Sequence, residues 1–301
     1  MAVRVAADVG GTFTDLYAVD DERGLRWAAK VPSTPEDPSL GIVRGLSRVL
    51  ELSGLQPAQV SHFIHGTTVA TNTVIQRKGA KTALLTTRGF RDVLEIGRQK
   101  RPHLYDISRD KVKPLVTRDL RFEVTERVLA SGEVAVPLGE DDVRTAAQRL
   151  GGAGVQAVAV SFLHAYRFAQ HELVAAEILR DLLPGVYVSC SSEVLPEFRE
   201  YERTTTTVLN AYLGPVVSSY VERLKGRFRE AGVRAPISIV QSSGGICSAD
   251  VASRKPVYLL LSGPSAGVTG AAALAGAAGF RDVITFDMGG TSTDVALVVN
   301  G

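Results

Sequence analysis

Cysteine is scarce. Only Cys190 and Cys247 occur in 301 residues, and they do not form a C-x-x-C pair. That argues against a disulfide framework and fits a reduced, cytoplasmic setting. An excess of one charge is also missing, since 34 Lys and Arg face 32 Asp and Glu for a formal net charge of +2. No basic stripe is present, so nucleic acid is not an expected partner, and Arg98-Gln99-Lys100-Arg101 reads as a solvated loop or local ion pairs. Long, purely apolar runs are lacking too. Residues 257–280 form the longest charge-free stretch and could span a bilayer by length, but they are rich in Ala and Gly and carry Ser262, Pro264, Ser265 and Thr269. They read as a loop followed by a buried helix of small residues, with no membrane partner expected. Charged and polar residues arrive too early for a signal peptide, and residues 1–7 begin a strand. Low-complexity segments and solenoid-type repeats are absent.

What the chain does have is one octapeptide pattern, D-x-G-G-T-x-T-D, used twice. Asp8-Val9-Gly10-Gly11-Thr12-Phe13-Thr14-Asp15 lies near the start and Asp287-Met288-Gly289-Gly290-Thr291-Ser292-Thr293-Asp294 near the end. Each follows an apolar strand-like run. After the first copy, residues 16–20 continue as a strand, so the Gly-Gly turn closes a hairpin rather than opening a helix. This separates the pattern from a P-loop and from a dinucleotide-binding turn, which both lead into a helix.

The chemistry of such a turn is specific. Paired glycines permit positive φ and remove side chains that would block a ligand. Successive backbone N–H groups can then converge on an anion. Thr12, Thr14, Thr291 and Thr293 add hydroxyls, and Asp8 and Asp287 end strands. Carboxylates beside phosphates require a divalent cation between them, and Mg²⁺ is commonly held by one or two carboxylates plus phosphate oxygens. Two facing copies point to a nucleotide whose phosphates are clamped between related half-domains. Asp15 and Asp294 start the return strands, where turn stabilisation explains them as well as ligand contact does.

The rest alternates strand and helix. A third strand is expected over 25–31. A helix follows, capped by Asp37 with Pro38 in its first position, lined by Leu40, Val43, Leu46 and Leu50, and stopped at Gly54. A strand through Phe63-Ile64-His65 runs into Gly66-Thr67-Thr68, followed by a helix over 70–77 and a strand over 81–86. Residues 90–137 break the rhythm, with strands over 121–127 and 133–137 around Ser131-Gly132. Helices are expected over 141–150 and 169–182, and strands over 157–162 and 186–189. A long helix over 203–230 should kink or break at Gly214-Pro215, and a strand over 237–241 ends in Ser242-Ser243-Gly244-Gly245.

His65 ends its strand beside Thr67 and Thr68, so it reads either as a substrate or phosphate contact or as a histidine bonded to a neighbouring loop. His62 is three residues away and points to the other face, which argues against a two-histidine metal site. Arg203 and Glu202, at the start of the long helix, could reach a cleft or simply form a cap or ion pair. Cys247 has no histidine near it in sequence and reads as a small buried residue.

The paired hairpins resemble the two phosphate motifs of the actin, sugar-kinase and heat-shock ATPase superfamily, and Ser262-Gly263-Pro264-Ser265-Ala266-Gly267 is similar to its connecting helix, where two helix backbones approach closely. Several segments, in order along the chain, resemble the hydantoinase A / 5-oxoprolinase family. They are 8–15, His65-Gly66-Thr67-Thr68-Val69-Ala70-Thr71-Asn72, 89–99, Glu200-Tyr201-Glu202-Arg203-Thr204, 262–267 and 286–294. Gln241-Ser242-Ser243-Gly244-Gly245 departs from that family's Q-S-N-G-G at Ser243.

The resemblance implies an α/β, actin-like ATPase (ribonuclease H-like) domain with an α+β insertion and the start of a truncated second actin-like lobe. The expected divisions are 1–90 for the first lobe with hairpin one, 91–140 for an inserted β element, 141–258 for further α/β structure, and 259–301 for the connecting helix and hairpin two. It implies ATP and Mg²⁺ as cofactors, with Asp8 and Asp287 as metal-holding catalytic carboxylates. Gly10, Gly11, Thr12, Thr14, Gly289, Gly290, Thr291 and Thr293 would hold phosphates. His65, Thr67, Thr68 and Arg203 are the substrate candidates. The implied activity is phosphorylation of the carbonyl oxygen of a cyclic amide, such as hydantoin, N-methylhydantoin or 5-oxoproline, with ring opening completed by a hydantoinase B-type subunit in a hetero-oligomer. Two alternatives stand beside it: carboxylation of a ketone, and a non-enzymatic ATP-responsive module. The later glycine-rich motif that holds adenosine in the superfamily does not occur in this chain.

Overall fold

The computed structural model describes residues 3–34, 36–106, 108–288 and 293–301. The chain opens with β1 (Val3–Val9), β2 (Phe13–Asp20), β3 (Leu25–Pro32), α1 (Pro38–Ser53), β4 (Val60–Thr67) and α2 (Val69–Ile75). Its middle holds β5 (Thr82–Thr87), α3 (Val93–Ile96), β6 (Arg121–Val124), β7 (Arg127–Val128), β8 (Val134–Val136), α4 (Glu140–Gly152), β9 (Ala157–Ser161), α5 (Gln170–Leu182), β10 (Tyr187–Cys190) and α6 (Ser191–Val194). Then follow α7 (Glu200–Glu230), β11 (Ile237–Val240), β12 (Ile246–Ser248), α8 (Ala249–Arg254), α9 (Ser262–Ala277), β13 (Val283–Met288) and β14 (Thr293–Val298). Two compact units result, one of Met1–Arg77 with Val217–Gly301 and one of Lys78–Val216.

The first unit is built on a six-stranded sheet of order β12-β11-β4-β1-β2-β3. β1, β2 and β3 form an antiparallel meander, while β4 runs parallel to β1 and β11 parallel to β4. Strict alternation along β1 buries Val3, Val5, Ala7 and Val9 and leaves Arg4, Ala6 and Asp8 on the other face. α1 covers the buried face. Asp37 caps it by accepting from the Ser39 N–H, and Gly54 ends it in the left-handed conformation at φ 67°. Its buried side is Gly41, Ile42, Gly45, Leu46 and Val49, whereas Leu40, Val43 and Leu50 are only partly covered. The expected apolar face was therefore rotated. The reason is steric, since a Cβ at Gly45 would lie 1.9 Å from Leu16 Cδ1, so the helix seats its glycines against the sheet. The C-terminal part of α7 packs there too, with Val217, Tyr220, Val221, Leu224 and Phe228 buried and the Phe228 ring edge-on to Phe63 at 4.7 Å.

The second unit carries a parallel four-stranded sheet of order β10-β9-β5-β6. β5 and β9 are buried at every position, as expected for central parallel strands covered on both faces. The expected strand over 121–127 is divided: β6 joins this sheet, and only β7 pairs with β8 in the hairpin around Gly132, whose φ is 93°. α7 is one helix of 31 residues with Pro215 inside it, so of the expected kink or break the break does not occur. Pro215 deletes one backbone bond, and burial of Ala211, Leu213, Val217 and Tyr220 on either side outweighs that loss. Gly214 has a packing role instead, because a Cβ there would meet the Tyr187 ring at 2.5 Å.

α9 forms where a helix of small residues was expected, but Ser262 is its one buried residue. Among the described residues its glycines do not face a second helix. A Cβ at Gly263 would lie 3.9 Å from Thr68 Cγ2, and one at Gly267 would lie 3.9 Å from Asp287 Oδ2. Among the described residues no helix is long and apolar enough to cross a membrane.

Gly45→Ala should destabilise the protein by about 1–3 kcal/mol, because Leu16 is itself buried and cannot swing aside. Urea unfolding followed by circular dichroism measures this, and an unchanged midpoint would contradict the packing described.

Candidate active site

The two signature copies fold by the same cross-strand rule. In the first, Asp8 pairs opposite Asp15 and Val9 opposite Thr14; in the second, Asp287 pairs opposite Asp294 and Met288 opposite Thr293. Each opening aspartate is the penultimate residue of its strand. Gly289, Gly290 and Thr291 lie outside the described residues, so the site is built from the first hairpin and from the strands of the second.

Asp8 and Asp287 line one hollow of about 690 Å³ in the first unit. Its sheet wall is the face opposite α1, with Ala6, Asp8, Asp15, Tyr17, Ala28, Lys30, Ile64 and Gly66, and Gly263, Ala266 and Gly267 of α9 form another wall. Glycine at the two carboxylates leaves space beside them, since a Cβ on Gly66 would sit 3.5 Å from Asp8 Oδ1. Desolvation on this floor, then the charges of Asp15 and Asp287, raise the Asp8 carboxyl above its ordinary pKa. Asp15 is held by Lys30, whose Nζ lies 3.0 Å from its Oδ1 and 5.1 Å from the centre of the Phe13 ring.

The first turn is closed by the Gly10 N–H donating to Phe13 O at 3.0 Å, and Ser33 Oγ donates to Gly10 O at 2.7 Å. Neither Gly10 nor Gly11 takes a positive φ, contrary to the expected use of the glycine pair. At Gly10 the lack of bulk matters, because a Cβ there would press on Phe13 O at 3.1 Å, whereas Gly11 is open to solvent and a Cβ there would meet nothing within 4 Å. The N–H groups of Gly11 and Thr12 have no acceptor among the described residues, which leaves two exposed donors at the hairpin tip. Thr12 is exposed, whereas Thr14 is buried with its hydroxyl 3.0 Å from Ser33 Oγ on the α1 side of the sheet. Thr293 is exposed at the start of β14.

The other candidates lie elsewhere. His65 is fully buried on the core face, where its ring bonds to Tyr220 Oη and Nδ1 sits 3.4 Å from Ala7 O. Burial pulls its pKa down to about 4, so the ring is neutral at physiological pH. Thr67 is buried and accepts from the Val69 N–H, while Thr68 begins α2 and accepts from Asn72 Nδ2 at 3.3 Å. Arg203 belongs to the second unit. Its fully buried guanidinium donates to Ser191 Oγ, Glu197 O, Phe162 O and the Glu200 carboxylate. Beside it Glu172, also fully buried, accepts from Phe162 N, Ser191 Oγ and Ser192 N. These bonds pin Phe162, just after β9, to the start of α6, which is a structural role within that unit.

Lys30 is the lining residue that the motif reading passed over. Strand arithmetic locates it: the β1–β2 pairing brings Asp8 against Asp15, and the β2–β3 pairing, with Asp20 opposite Leu25, brings Asp15 against Lys30.

Comparison with known proteins fits this architecture. Residues 4–183 match the family model for the hydantoinase/oxoprolinase N-terminal region, and residues 203–301 match that for hydantoinase/oxoprolinase. The chain belongs to the hydantoinase/oxoprolinase family. It is 39% identical over 304 residues to caprolactamase subunit alpha of Pseudomonas jessenii, covering 99% of this chain and 44% of that protein. The crystal structure of the ATP-dependent caprolactamase from Pseudomonas jessenii superposes with a TM-score of 0.86 at 39% identity, over 98% of this chain and 43% of that one. The nucleotide-free structure of acetone carboxylase, from work on ATP-dependent acetone carboxylation, superposes with a TM-score of 0.89 at 29% identity, over 99% of this chain and 44% of that one. This family member therefore spans less than half the length of these relatives. Its mixed α/β architecture is the actin-like ATPase fold.

Because His65 is buried neutral, the unfolded chain takes up a proton near pH 6.5 that the folded chain takes up only near pH 4. Stability should therefore fall as pH drops from 6.5 towards 4, by at most about 1.4 kcal/mol per pH unit from this group. Imidazole NMR should show His65 titrating near pH 4, and a titration near 6.5 would contradict its burial.

Proposed function

We propose that this chain carries the phosphoryl-transfer half of an ATP-dependent enzyme that activates a carbonyl oxygen. The observation that carries this reading is that the opening aspartates of both signatures line one hollow beside a hairpin tip with free N–H donors. The residues present fit Mg·ATP. Mutually repelling carboxylates favour a divalent cation between them, and glycine at 66 and 267 leaves room for one. Among the described residues no group of three His, Cys, Asp or Glu side chains forms a ready metal cage. That suits Mg²⁺, which takes few protein carboxylates and completes its shell with waters and phosphate oxygens.

In this reading Asp8 and Asp287 hold the cation, and Asp287 also orients water or acts as a base. Gly11 and Thr12 donate backbone N–H groups to phosphate oxygens, with Gly10, Thr12 and Thr293 shaping the two turns. Bound there, Mg·ATP would supply a phosphoryl group to the substrate carbonyl oxygen, turning a poor leaving group into a good one. The protein's own contribution is positioning and charge neutralisation at that oxygen. The substrate is a cyclic amide such as a hydantoin, 5-oxoproline or a lactam, and ring opening is completed with a B-type partner subunit in a hetero-oligomer. The greater sequence identity to the caprolactamase supports this choice. Ketone carboxylation is the second reading, and the acetone carboxylase superposition favours it.

The test is phosphate release by the natural full-length protein with its partner, screened against hydantoin, N-methylhydantoin, 5-oxoproline, caprolactam and acetophenone, with and without bicarbonate. One cyclic amide should stimulate release independently of bicarbonate, and Asp8→Asn should lower the stimulated rate by about 100-fold or more. Stimulation by a ketone only with bicarbonate would move the assignment to the carboxylase. No stimulation by any compound would remove the catalytic reading.

A further inference from the structure

Gly66, Asp8, Asp15 and Lys30 form one cross-strand row. Asp8 pairs with Gly66 on one side and Asp15 on the other, and Asp15 pairs with Lys30. Adjacent strands stand about 4.8 Å apart, so Lys30 starts about 10 Å from Asp8 along this row, within reach of a lysine stem leaning back towards it. All four residues line the hollow, which holds three carboxylates and, among the described residues, one cation. The neighbouring row on the same face is Ala6, Tyr17 and Ala28, so Tyr17 is the one large side chain beside it on β1 to β3.

We propose that Lys30 is a binding residue for the terminal phosphoryl group of the nucleotide, held ready by Asp15 when no anion is present. This deepens the nucleotide reading above and rests on it. Position decides which phosphate Lys30 serves. The N–H donors of Gly11 and Thr12, without an acceptor among the described residues, lie at the hairpin tip, beyond the end of β1, and attend the phosphates lodged there. Lys30 stands in the row of Asp8, set back from the tip, where the group being transferred must lie if Asp8 holds its cation. Asp15 then does two things: it fixes the ammonium by a contact of 3.0 Å, and it adds negative charge to a floor that already favours a cation. The competing explanation is that Lys30 guards the edge strand β3 against unwanted pairing, with a solvent-exposed ion pair that adds little stability. That explanation predicts no effect on nucleotide binding.

The experiment is calorimetric titration of the natural full-length protein with Mg·ATP and, separately, with Mg·ADP, for wild type, Lys30→Met and Lys30→Arg. Lys30 is well exposed, and circular dichroism with thermal melting establishes that each variant folds. Lys30→Met should weaken Mg·ATP binding by about tenfold while Mg·ADP stays within about twofold, and Lys30→Arg should recover most of the loss. Equal binding of both nucleotides by wild type and Lys30→Met would overturn the assignment and leave the nucleotide reading standing. Equal loss of both would also overturn it, because the effect would not be specific to the terminal phosphate. A wild-type protein that binds neither nucleotide would remove the nucleotide reading and this inference with it.

Discussion

Strand register governs this molecule. Because side chains alternate between the two faces of a sheet, placing Val5, Ala7 and Val9 against α1 forces Asp8 onto the opposite face. The antiparallel partner then sets Asp15 beside it, and the next strand sets Lys30 beside Asp15. A slip of one residue would bury a carboxylate and expose the core, at a cost far above the few kcal/mol that separate folded from unfolded chains. The hydrophobic face thus specifies the polar one. In the second hairpin the strand pairing likewise sets Asp287 opposite Asp294.

Small residues do most of the remaining positioning. Gly41 and Gly45 let α1 settle on β2, and Gly66 and Gly267 leave the two carboxylates uncrowded. Gly10 of the first signature turn works through lack of bulk rather than through unusual φ. In the second unit the ordering is polar. The Arg203 and Glu172 networks join the ends of β9 and β10 to the start of α7, and a second buried set links Thr87, Glu126 and His171. Buried polar groups of this kind are tolerated because nearly every donor and acceptor is met.

Much of this was legible in the residues. The two octapeptides announced hairpins, Asp37-Pro38 and Gly54 marked both ends of α1, and the strand–helix alternation gave the fold class. Other features were not. The buried face of α1 was misplaced because glycines count as neutral in an apolar pattern, yet they were the contact surface. Pro215 signalled a break that burial on both sides of it overrode. His65 sits beside the signature strand, but its position in the alternation sends it to the core, where Tyr220 from a distant helix meets it.

By itself the amino-acid sequence determined the local chemistry: two acidic, hydroxyl-bearing, glycine-paired turns, each after a strand, and membership of a family by ordered motifs. It could do so because turns and strand periodicity are short-range properties, set by neighbouring residues. Only the tertiary structure decided which side chains share a space. That Asp8, Asp15, Lys30 and Asp287 line one hollow, while Arg203 and His65 are occupied inside cores, depends on pairings between strands and helices far apart in the chain. Those pairings are fixed by how apolar faces bury one another, and no local pattern contains that information.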